Sequence, residues 1–146
     1  MCDARNMTES VTESVTESMT ESMNALVDRF VDAIERGDVE TVLSIYAEDA
    51  LIWHNFDQIE VTPQDNARQI RWFSSRLAGM KYEDIRRMEF PGGLVQQHVL
   101  RGTAPNGEAI AVYAILRIDI VNGRITRLEE YLDPAQAAAL SAPGKA

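Results

Sequence analysis

The stretch that decides the fold is EAIAVYAILRIDIVNGRITRLEEYLD, residues 108–133. Its apolar and β-branched residues predict two strands, Glu108–Ile120 and Arg124–Leu132, joined at Asn122-Gly123, a dipeptide that favours a hairpin turn. The preceding segment, Leu94–Thr103, predicts another strand, because a second turn signal follows it at Pro105-Asn106-Gly107. The C-terminal half is therefore predicted to be a long antiparallel meander.

Glu130 interrupts an apolar face of the last of these strands. Alternation along the strand places Leu128, Glu130 and Leu132 on one side and Tyr131 on the other, among charged residues. A buried carboxylate must be paired, hydrogen-bonded or pushed toward its neutral form. Glu130 is therefore either a satisfied structural acid or the acid/base of a pocket, and Leu128 and Leu132 are candidates for the substrate-binding wall.

The N-terminal half predicts helices. Apolar residues in the segment 23–34 recur at the spacing of an amphipathic helix, and Asp38 can cap a second, shorter one. Thr62-Pro63 is a strong helix start, whereas Leu51–Phe56 predicts a strand. Helices followed by a meander, which would begin at Lys81–Phe90, indicate an α+β fold: N-terminal helices packed on a curved, mostly antiparallel sheet that encloses a pocket.

Three segments are predicted along the chain. Residues 1–22 contain four tandem MTES or VTES repeats and are expected to form a mobile tail or a frayed extension of the first helix. Residues 23–140 are expected to form the folded domain, which closes with a short helix capped by Asp133. Residues 141–146 are expected to form a C-terminal tail.

Composition limits the classes of function. The chain has 146 residues, 45% of them hydrophobic, which suffices for one domain with a core. Its formal net charge of −9 argues against nucleic acid and anionic membranes as partners. No run approaches the roughly 18 apolar residues of a membrane span, and the N-terminus lacks the apolar core of a signal peptide, so the cytoplasm is the expected compartment. The single cysteine, Cys2, excludes an internal disulfide and a cysteine-based metal site.

A second group of chemically useful residues lies in Trp53-His54-Asn55-Phe56-Asp57. Alternation places Trp53, Asn55 and Asp57 on one face. Their indole N–H, amide and carboxylate could hold a polar substrate group or a water. The alternative is a cluster at the rim, with Asp57 simply starting a turn. Trp72, on the helix that begins at Thr62-Pro63, is a further substrate-binding candidate.

A third group, Gln96-Gln97-His98, puts three polar residues in the middle of a strand. A two-residue Asn106-Gly107 loop would place Gln97 on the inner face, whereas a bulged three-residue loop would reverse the parity. His98 is therefore either a proton-transfer candidate or an ordinary surface or dimer-face histidine. His54 and His98 lie on separate strands without metal-ligand spacing, so no metal is predicted. No phosphate loop or dinucleotide motif occurs, so no cofactor is predicted either.

The order of these segments, with WHNFD (53–57), GLVQQHVLRGTAPNGE (93–108) and GRITRLEEYLDPAQ (123–136), resembles the SnoaL-like branch of the nuclear-transport-factor-2-like superfamily. The resemblance covers residues 23–140. It implies a cone-shaped α+β barrel with a deep pocket, commonly dimeric through its sheet. Ketosteroid isomerases, limonene epoxide hydrolases and polyketide cyclases are relatives of this kind.

The resemblance also implies roles for single residues. Epoxide hydrolases of this fold position a water with a Tyr-x-Asn pair, whose place is taken here by Trp53 and Asn55. They also use an Asp-Arg-Asp trio, whose last Asp corresponds to Glu130. The segment Gln96–Val99, where the Arg-x-Asp part of the trio would fall, contains no such pair. This absence argues against standard epoxide hydrolysis.

These observations favour a cofactor-independent isomerase, cyclase or hydrolase that acts on a small, apolar, ring-containing molecule. Glu130 would be the acid/base, Trp53 and Asn55 would donate hydrogen bonds to a substrate oxygen or a water, and His98 or Gln97 would orient the carboxylate. The alternative is a ligand-binding or dimeric interaction module without catalysis, which the missing Arg-x-Asp pair favours. A protein-partner adaptor is a weaker third reading.

The long strand Glu108–Ile120 also bears on assembly. Its outward-facing set, Tyr113, Ile115 and Arg117, belongs to a strand too apolar for exposure on both faces. We therefore expect a homodimer through the exposed face of the sheet, with these three residues at the interface.

Overall fold

Residues 21–144 are described by the computed structural model, in which three α-helices and a final 3₁₀ helix accompany six strands. The helices are α1 (Met23–Glu35), α2 (Val39–Ile45), α3 (Pro63–Arg76) and the 3₁₀ helix (Pro134–Ser141). The strands are β1 (Tyr46–His54), β2 (Glu60–Val61), β3 (Ala78–Phe90), β4 (Gly93–Thr103), β5 (Ala109–Val121) and β6 (Arg124–Leu132). The predicted tail, residues 1–22, lies outside the described part except for Glu21 and Ser22.

The six strands form one mixed sheet in the order β2-β1-β6-β5-β4-β3. β1 runs parallel to β6, and all other neighbouring strands are antiparallel. The sheet does not close on itself, because β2 and β3 remain its two edges. The predicted α+β class, with helices on a mostly antiparallel sheet, is confirmed. β1 is longer than the predicted strand, since it begins at Tyr46, which pairs with Ile125 of β6.

Side-chain caps fix where the helices begin. The Ser22 hydroxyl accepts a hydrogen bond from the N–H of Ala25 at the start of α1. Asp38 caps α2 and Thr62 caps α3 in the same way, as their sequence positions predict. Each cap satisfies one backbone N–H that the helix itself leaves without a partner.

The core lies between the helices and the inner face of the sheet. α1 buries its apolar stripe there, with Val27 and Phe30 almost fully enclosed. β5 alternates between buried and more exposed residues along most of its length, as expected for a strand with one face on the core. Its inner face carries Ile110, Val112, Ala114, Leu116 and Ile118.

The β4–β5 hairpin decides which polar residues of β4 face the helices. Ala104 N–H donates to the Glu108 carbonyl oxygen at 2.9 Å, which leaves the three-residue loop 105–107 between them. In this register Gln96 lies opposite Leu116 and His98 opposite Ala114, both inner-face residues. Gln97 faces outward. The structure thus has the three-residue alternative and not the two-residue loop, with Gly107 at φ +90°.

β3 bends along its length, and this bend curves the sheet over the helices. Its pairing with β4 shifts register twice, between Ala78 and Lys81 and between Glu83 and Arg86. Asp84, inside the second shift, has a φ of +54°. Such irregularities are typical of β-bulges, which increase bending and twist.

Candidate functional site

A cavity of about 560 Å³ lies between the helices and the curved sheet. This volume is in the range of sites for small organic ligands. Helices α1 and α3 and the 3₁₀ helix contribute one side, and the inner faces of the strands contribute the other. Apolar side chains make up most of the wall: Phe30, Ile34, Ile70, Trp72, Phe73, Met80, Leu100, Val112, Leu116, Leu128 and Leu132.

Glu130 and His54 meet on the sheet side of this cavity. They are register partners on the parallel strands β6 and β1, so alternation points both side chains inward. His54 Nε2 lies 3.1 Å from Glu130 Oε1, and the two side chains are 13% and 21% exposed. Burial alone would lower the pKa of His54, but the hydrogen bond and the charge of Glu130 outweigh it and raise that pKa. The Glu130 carboxyl group therefore favours the protonated form of His54.

Two buried phenols share this part of the cavity. Tyr46 donates a hydrogen bond from its hydroxyl to Asn66 Oδ1 at 2.8 Å, which ties β1 to α3. Burial, followed by the charges of Glu130 and Tyr82, raises the pKa of Tyr46 well above its ordinary value. Burial also raises the pKa of Tyr82, with further contributions from Glu130 and Glu35. Both phenols therefore stay protonated near neutral pH and can donate hydrogen bonds.

His98 lines the cavity from β4. Its ring lies against that of Tyr82, with 4.6 Å between the centroids. Its Nδ1 is 3.0 Å from the Nε2 of Gln96, which is also buried on the inner face. Burial lowers the pKa of His98, and the charge of Glu130 offsets this only in part. His98 is therefore favoured in its neutral form, in contrast to His54.

A gap separates Glu130 from His98 along the sheet. β6 and β4 are both neighbours of β5, so the two strands are roughly 10 Å apart at about 4.8 Å per step. Ala114, the smallest of the buried side chains that β5 presents there, lies opposite both Leu132 and His98. Ala114 therefore lines the cavity between these two residues.

The structure brings five of the sequence-predicted site residues to the cavity wall: Glu130, His98, Trp72, Leu128 and Leu132. Gln97 is not among the lining residues, because the hairpin register turns it to the outer face.

Three predicted residues at the end of β1 lie away from the cavity wall. The backbone N–H of Asn55 donates to the Glu130 carbonyl oxygen, and the side-chain Oδ1 of Asn55 accepts from the Leu132 N–H at 2.9 Å. Asn55 therefore joins the end of β1 to the end of β6. Trp53 packs edge-on against Tyr131, with centroids 5.3 Å apart. Asp57 accepts a hydrogen bond from the N–H of Ile59 within the following turn.

Sequence reasoning missed His54, Tyr46 and Tyr82 as parts of this site. The signal for His54 was present, because alternation sets it with Ile52 and Phe56 on the face opposite Trp53. That face is the inner one, and Phe56 also lines the cavity. The sequence does not indicate which way Tyr46 and Tyr82 face. Register shifts lie next to both residues, in β1 and β3, and they interrupt the simple alternation of side chains.

Within residues 21–144, no three His, Cys, Asp or Glu side chains are grouped so as to hold a metal ion. No helix of that part of the chain is long and apolar enough to cross a membrane.

The sequence profile of the SnoaL-like domain matches residues 27–128, more than two thirds of the chain. The chain belongs to the SnoaL-like family. No curated protein matches it by sequence.

Solved structures agree with this SnoaL-like assignment at the level of fold. A candidate SnoaL-like polyketide cyclase from Shewanella putrefaciens is 12% identical, with a TM-score of 0.71 over 90% of this chain and 93% of its own. A nuclear-transport-factor-2-like protein of unknown function from Burkholderia pseudomallei is 21% identical, with a TM-score of 0.71 over 85% and 100%. A candidate isomerase from Bacillus subtilis is 14% identical, with a TM-score of 0.71 over 84% and 94%. The SnoaL-like domain thus has the cone-like α+β fold of these proteins.

Proposed function

We propose that this SnoaL-like domain is a cofactor-independent acid/base enzyme, an isomerase, cyclase or hydrolase, that acts on an apolar, ring-containing small molecule. The observation that carries the proposal is the Glu130–His54 pair, placed in the wall of a mainly apolar cavity of about 560 Å³. Glu130 lines the cavity with its Oε1 beside His54, so its second carboxylate oxygen can act as a general base toward a bound molecule. The candidate polyketide cyclases and isomerases of the same fold are consistent with it.

In the proposed reaction Glu130 removes a proton from a carbon next to a carbonyl group of the substrate. The electrons of that C–H bond form the C=C bond of an enolate, and the carbonyl oxygen takes the negative charge. The N–H of a neutral His98 and the O–H of Tyr82 are the donors proposed to stabilise this oxygen. In the isomerisation of a β,γ-unsaturated ketone, the C=C bond shifts into conjugation as Glu130 returns the proton to the γ-carbon. In an aldol cyclisation, the enolate carbon attacks a second carbonyl carbon of the same molecule, the π bond of that carbonyl breaks, and the resulting alkoxide takes the proton back from Glu130.

His54 has a supporting part in this proposal. Its Nε2–H can donate to Glu130 Oε1, which leaves the other carboxylate oxygen for the substrate. Leu128, Leu132 and Trp72 would hold the apolar body of the substrate. Asn55 would act indirectly, because its hydrogen bonds to β6 hold the strand end that carries Glu130.

The test measures proton abstraction without knowledge of the true substrate. The protein is incubated in D₂O with a panel of bicyclic and tricyclic ketones, and loss of the α-proton signal is followed by ¹H NMR. We expect exchange above the buffer rate for at least one ketone. Glu130→Gln should reduce it by about 10²–10⁴-fold, the usual contribution of a general base.

Glu129→Gln is the matched control, since Glu129 lies next in the chain on the outer face near Arg127. It should exchange protons as the unmodified protein does. Equal exchange rates for Glu130→Gln and the unmodified protein on an active ketone would refute Glu130 as the base.

A non-catalytic ligand-binding module is the second candidate. It is favoured by the absence, from Gln96–Val99, of the Arg-x-Asp pair that epoxide hydrolases of this fold use. Native mass spectrometry of the purified protein separates the two. A co-purified apolar molecule that keeps its mass and isotope content after long incubation in D₂O supports the binding module, whereas deuterium uptake by that molecule supports the enzyme.

A further inference from the structure

A buried chain of hydrogen bonds leads from the surface of α1 to His98. Asp28 Oδ1 accepts from Arg87 Nη1 at 2.6 Å, and Arg87 Nε donates to Gln96 Oε1 at 2.8 Å. Gln96 Nε2 then lies 3.0 Å from His98 Nδ1. Gln96 is 0% exposed, an unusual position for a glutamine. The acid/base reaction proposed above leaves Gln96 and Arg87 without a role.

The direction of each hydrogen bond in this chain follows from Arg87. A guanidinium group only donates, so the oxygen of the Gln96 amide must face Arg87. The amide NH₂ must then face His98. Because an NH₂ group also only donates, His98 Nδ1 has to accept, and it can do so only without a proton. The ring proton of a neutral His98 is therefore on Nε2.

Arg87 is itself held from α1. Its Nη1 donates to the Asn24 carbonyl oxygen and side-chain Oδ1 at 3.2 and 3.3 Å, in addition to Asp28. The Arg87 side chain is only 12% exposed. None of Asn24, Asp28 and Arg87 lines the cavity, so Gln96 is held from outside it.

We propose that Arg87 and Gln96 are positioning residues that fix His98 in the tautomer protonated on Nε2. In this state His98 is a neutral hydrogen-bond donor in the cavity and not a base. The catalytic use of that donor rests on the proposed function. The fixing of the His98 tautomer by Arg87 and Gln96, called the tautomer lock below, does not.

The groups around His98 agree with a neutral ring. Tyr82 on β3 lies against it as a protonated phenol, and Gln96 lies beside it on β4. Glu130 on β6 and Tyr46 on β1 line the same cavity. A proton on Nδ1 would bring an N–H against the amide NH₂ of Gln96. Of these neighbours only Glu130 favours the charged ring, and burial outweighs it.

The experiment reads the tautomer directly in protein without substrate. The chain has only two histidines, so ¹⁵N-labelled imidazole signals are assigned by comparison with the His54→Gln variant. Two-bond ¹H–¹⁵N spectra near neutral pH distinguish a protonated ring nitrogen from an unprotonated one. We expect His98 to be neutral, with the proton on Nε2 and an unprotonated, hydrogen-bonded Nδ1.

Three variants test the origin of this state. Gln96→Glu keeps the shape but places an acceptor at Nδ1, so Nδ1 should become protonated and the pKa of His98 should rise by about 1–3 units. Arg87→Met frees the amide to rotate, and signals of the opposite tautomer should appear. Arg87→Lys keeps a donor for Gln96 and should retain the Nε2–H form. Arg86→Met, next in the chain and exposed, is the matched control and should leave the signals unchanged.

Several outcomes would overturn the proposal. A wild-type His98 protonated on Nδ1 refutes the lock outright, and this measurement needs no variant to fold. An unchanged tautomer in both Gln96→Glu and Arg87→Met shows that the chain of hydrogen bonds does not set it. Because no substrate is present, failure of the enzymatic proposal leaves these spectra unaffected, and failure of the lock leaves the proton-exchange assay of Glu130 unaffected.

Discussion

Glu130 and His54 show how one ion pair at the cavity wall links pH to stability. The pKa of His54 lies above its ordinary value of about 6.5 in the folded chain, because the carboxylate of Glu130 outweighs burial. A group whose pKa is raised by folding stabilises the fold fully below its unfolded pKa. That contribution is lost as the pH rises through the folded pKa.

The first prediction at this scale concerns the His54→Gln variant. Its free energy of unfolding should fall furthest below that of the unmodified protein at about pH 5.5, and the difference should shrink by about pH 8.5. Urea denaturation at both pH values measures it. Effects of His98, which titrates in the opposite sense, are present in both proteins and cancel in the difference. A difference that stays constant or grows with pH would contradict the pairing.

Sequence alternation could identify the face of Glu130 but not its partner. The alternation of β6 places Glu130 with Leu128 and Leu132, and all three line the cavity. Which residue of β1 lies beside Glu130 depends on a parallel pairing between distant segments, and no local pattern encodes that register. The sequence therefore favours the polar face of Trp53 and Asn55, although His54 occupies the inner position in the structure.

At the scale of elements, Tyr46 and Asn66 join the start of β1 to α3. Both residues are buried, and the hydrogen bond between them is 2.8 Å long. It holds α3, the helix that carries Trp72, against the sheet. Asn66 also donates to Gln69 in the next turn of α3. Loss of the tyrosine hydroxyl would leave the Asn66 oxygen buried without that donor.

We predict that Tyr46→Phe lowers the free energy of unfolding by about 1–3 kcal/mol, the usual cost of a buried polar atom that loses its partner. Chemical denaturation measures the change. Ser75→Ala is the control, because it removes an exposed hydroxyl from the same helix, α3, and it should change stability by less than about 0.5 kcal/mol. Equal small effects in both variants would show that the Tyr46 hydrogen bond does not hold α3.

Most element boundaries could be read from the sequence because their causes are local. Asp38 and Thr62 accept the hydrogen bonds that begin α2 and α3, and the Asn122-Gly123 turn lies between β5 and β6 as predicted. The β4–β5 hairpin was different, because Asn106-Gly107 suits either a two-residue or a three-residue loop. The difference of one residue in loop length reverses the side-chain orientation along β4. With the three-residue loop, Gln96 and His98 face inward and Gln97 faces outward.

At the scale of the whole molecule, the outer face of the sheet remains to be accounted for. Tyr113, Ile115 and Tyr131 are 58%, 39% and 45% exposed there, although isolated apolar side chains on a surface are common. They are neighbours across β5 and β6, since Ile115 pairs with Tyr131 in the register of the sheet. Trp53 extends the group by its contact with Tyr131. A contiguous aromatic and aliphatic group is typical of surfaces that bind another protein.

We predict that this face joins two copies of the chain, with Ile115 near the centre of the interface. Light scattering at micromolar concentration should give twice the mass of one chain, 16.3 kDa. Ile115→Lys should yield the single-chain mass, because a buried lysine without a partner opposes association. Ile59→Lys is the matched control, because Ile59 is 57% exposed but lies in the loop between β1 and β2. The mass of the Ile59→Lys protein should remain that of a dimer.

The cavity of a single chain should not need the dimer for its activity. The outer face carries none of the proposed catalytic side chains, so the monomer made by Ile115→Lys should keep its proton-exchange activity at saturating ketone. A single-chain mass for the unmodified protein would refute the dimer. Loss of exchange in a folded Ile115→Lys monomer would instead mean that the association orders β5 and β6, the two strands that present Ala114 and Glu130 to the cavity.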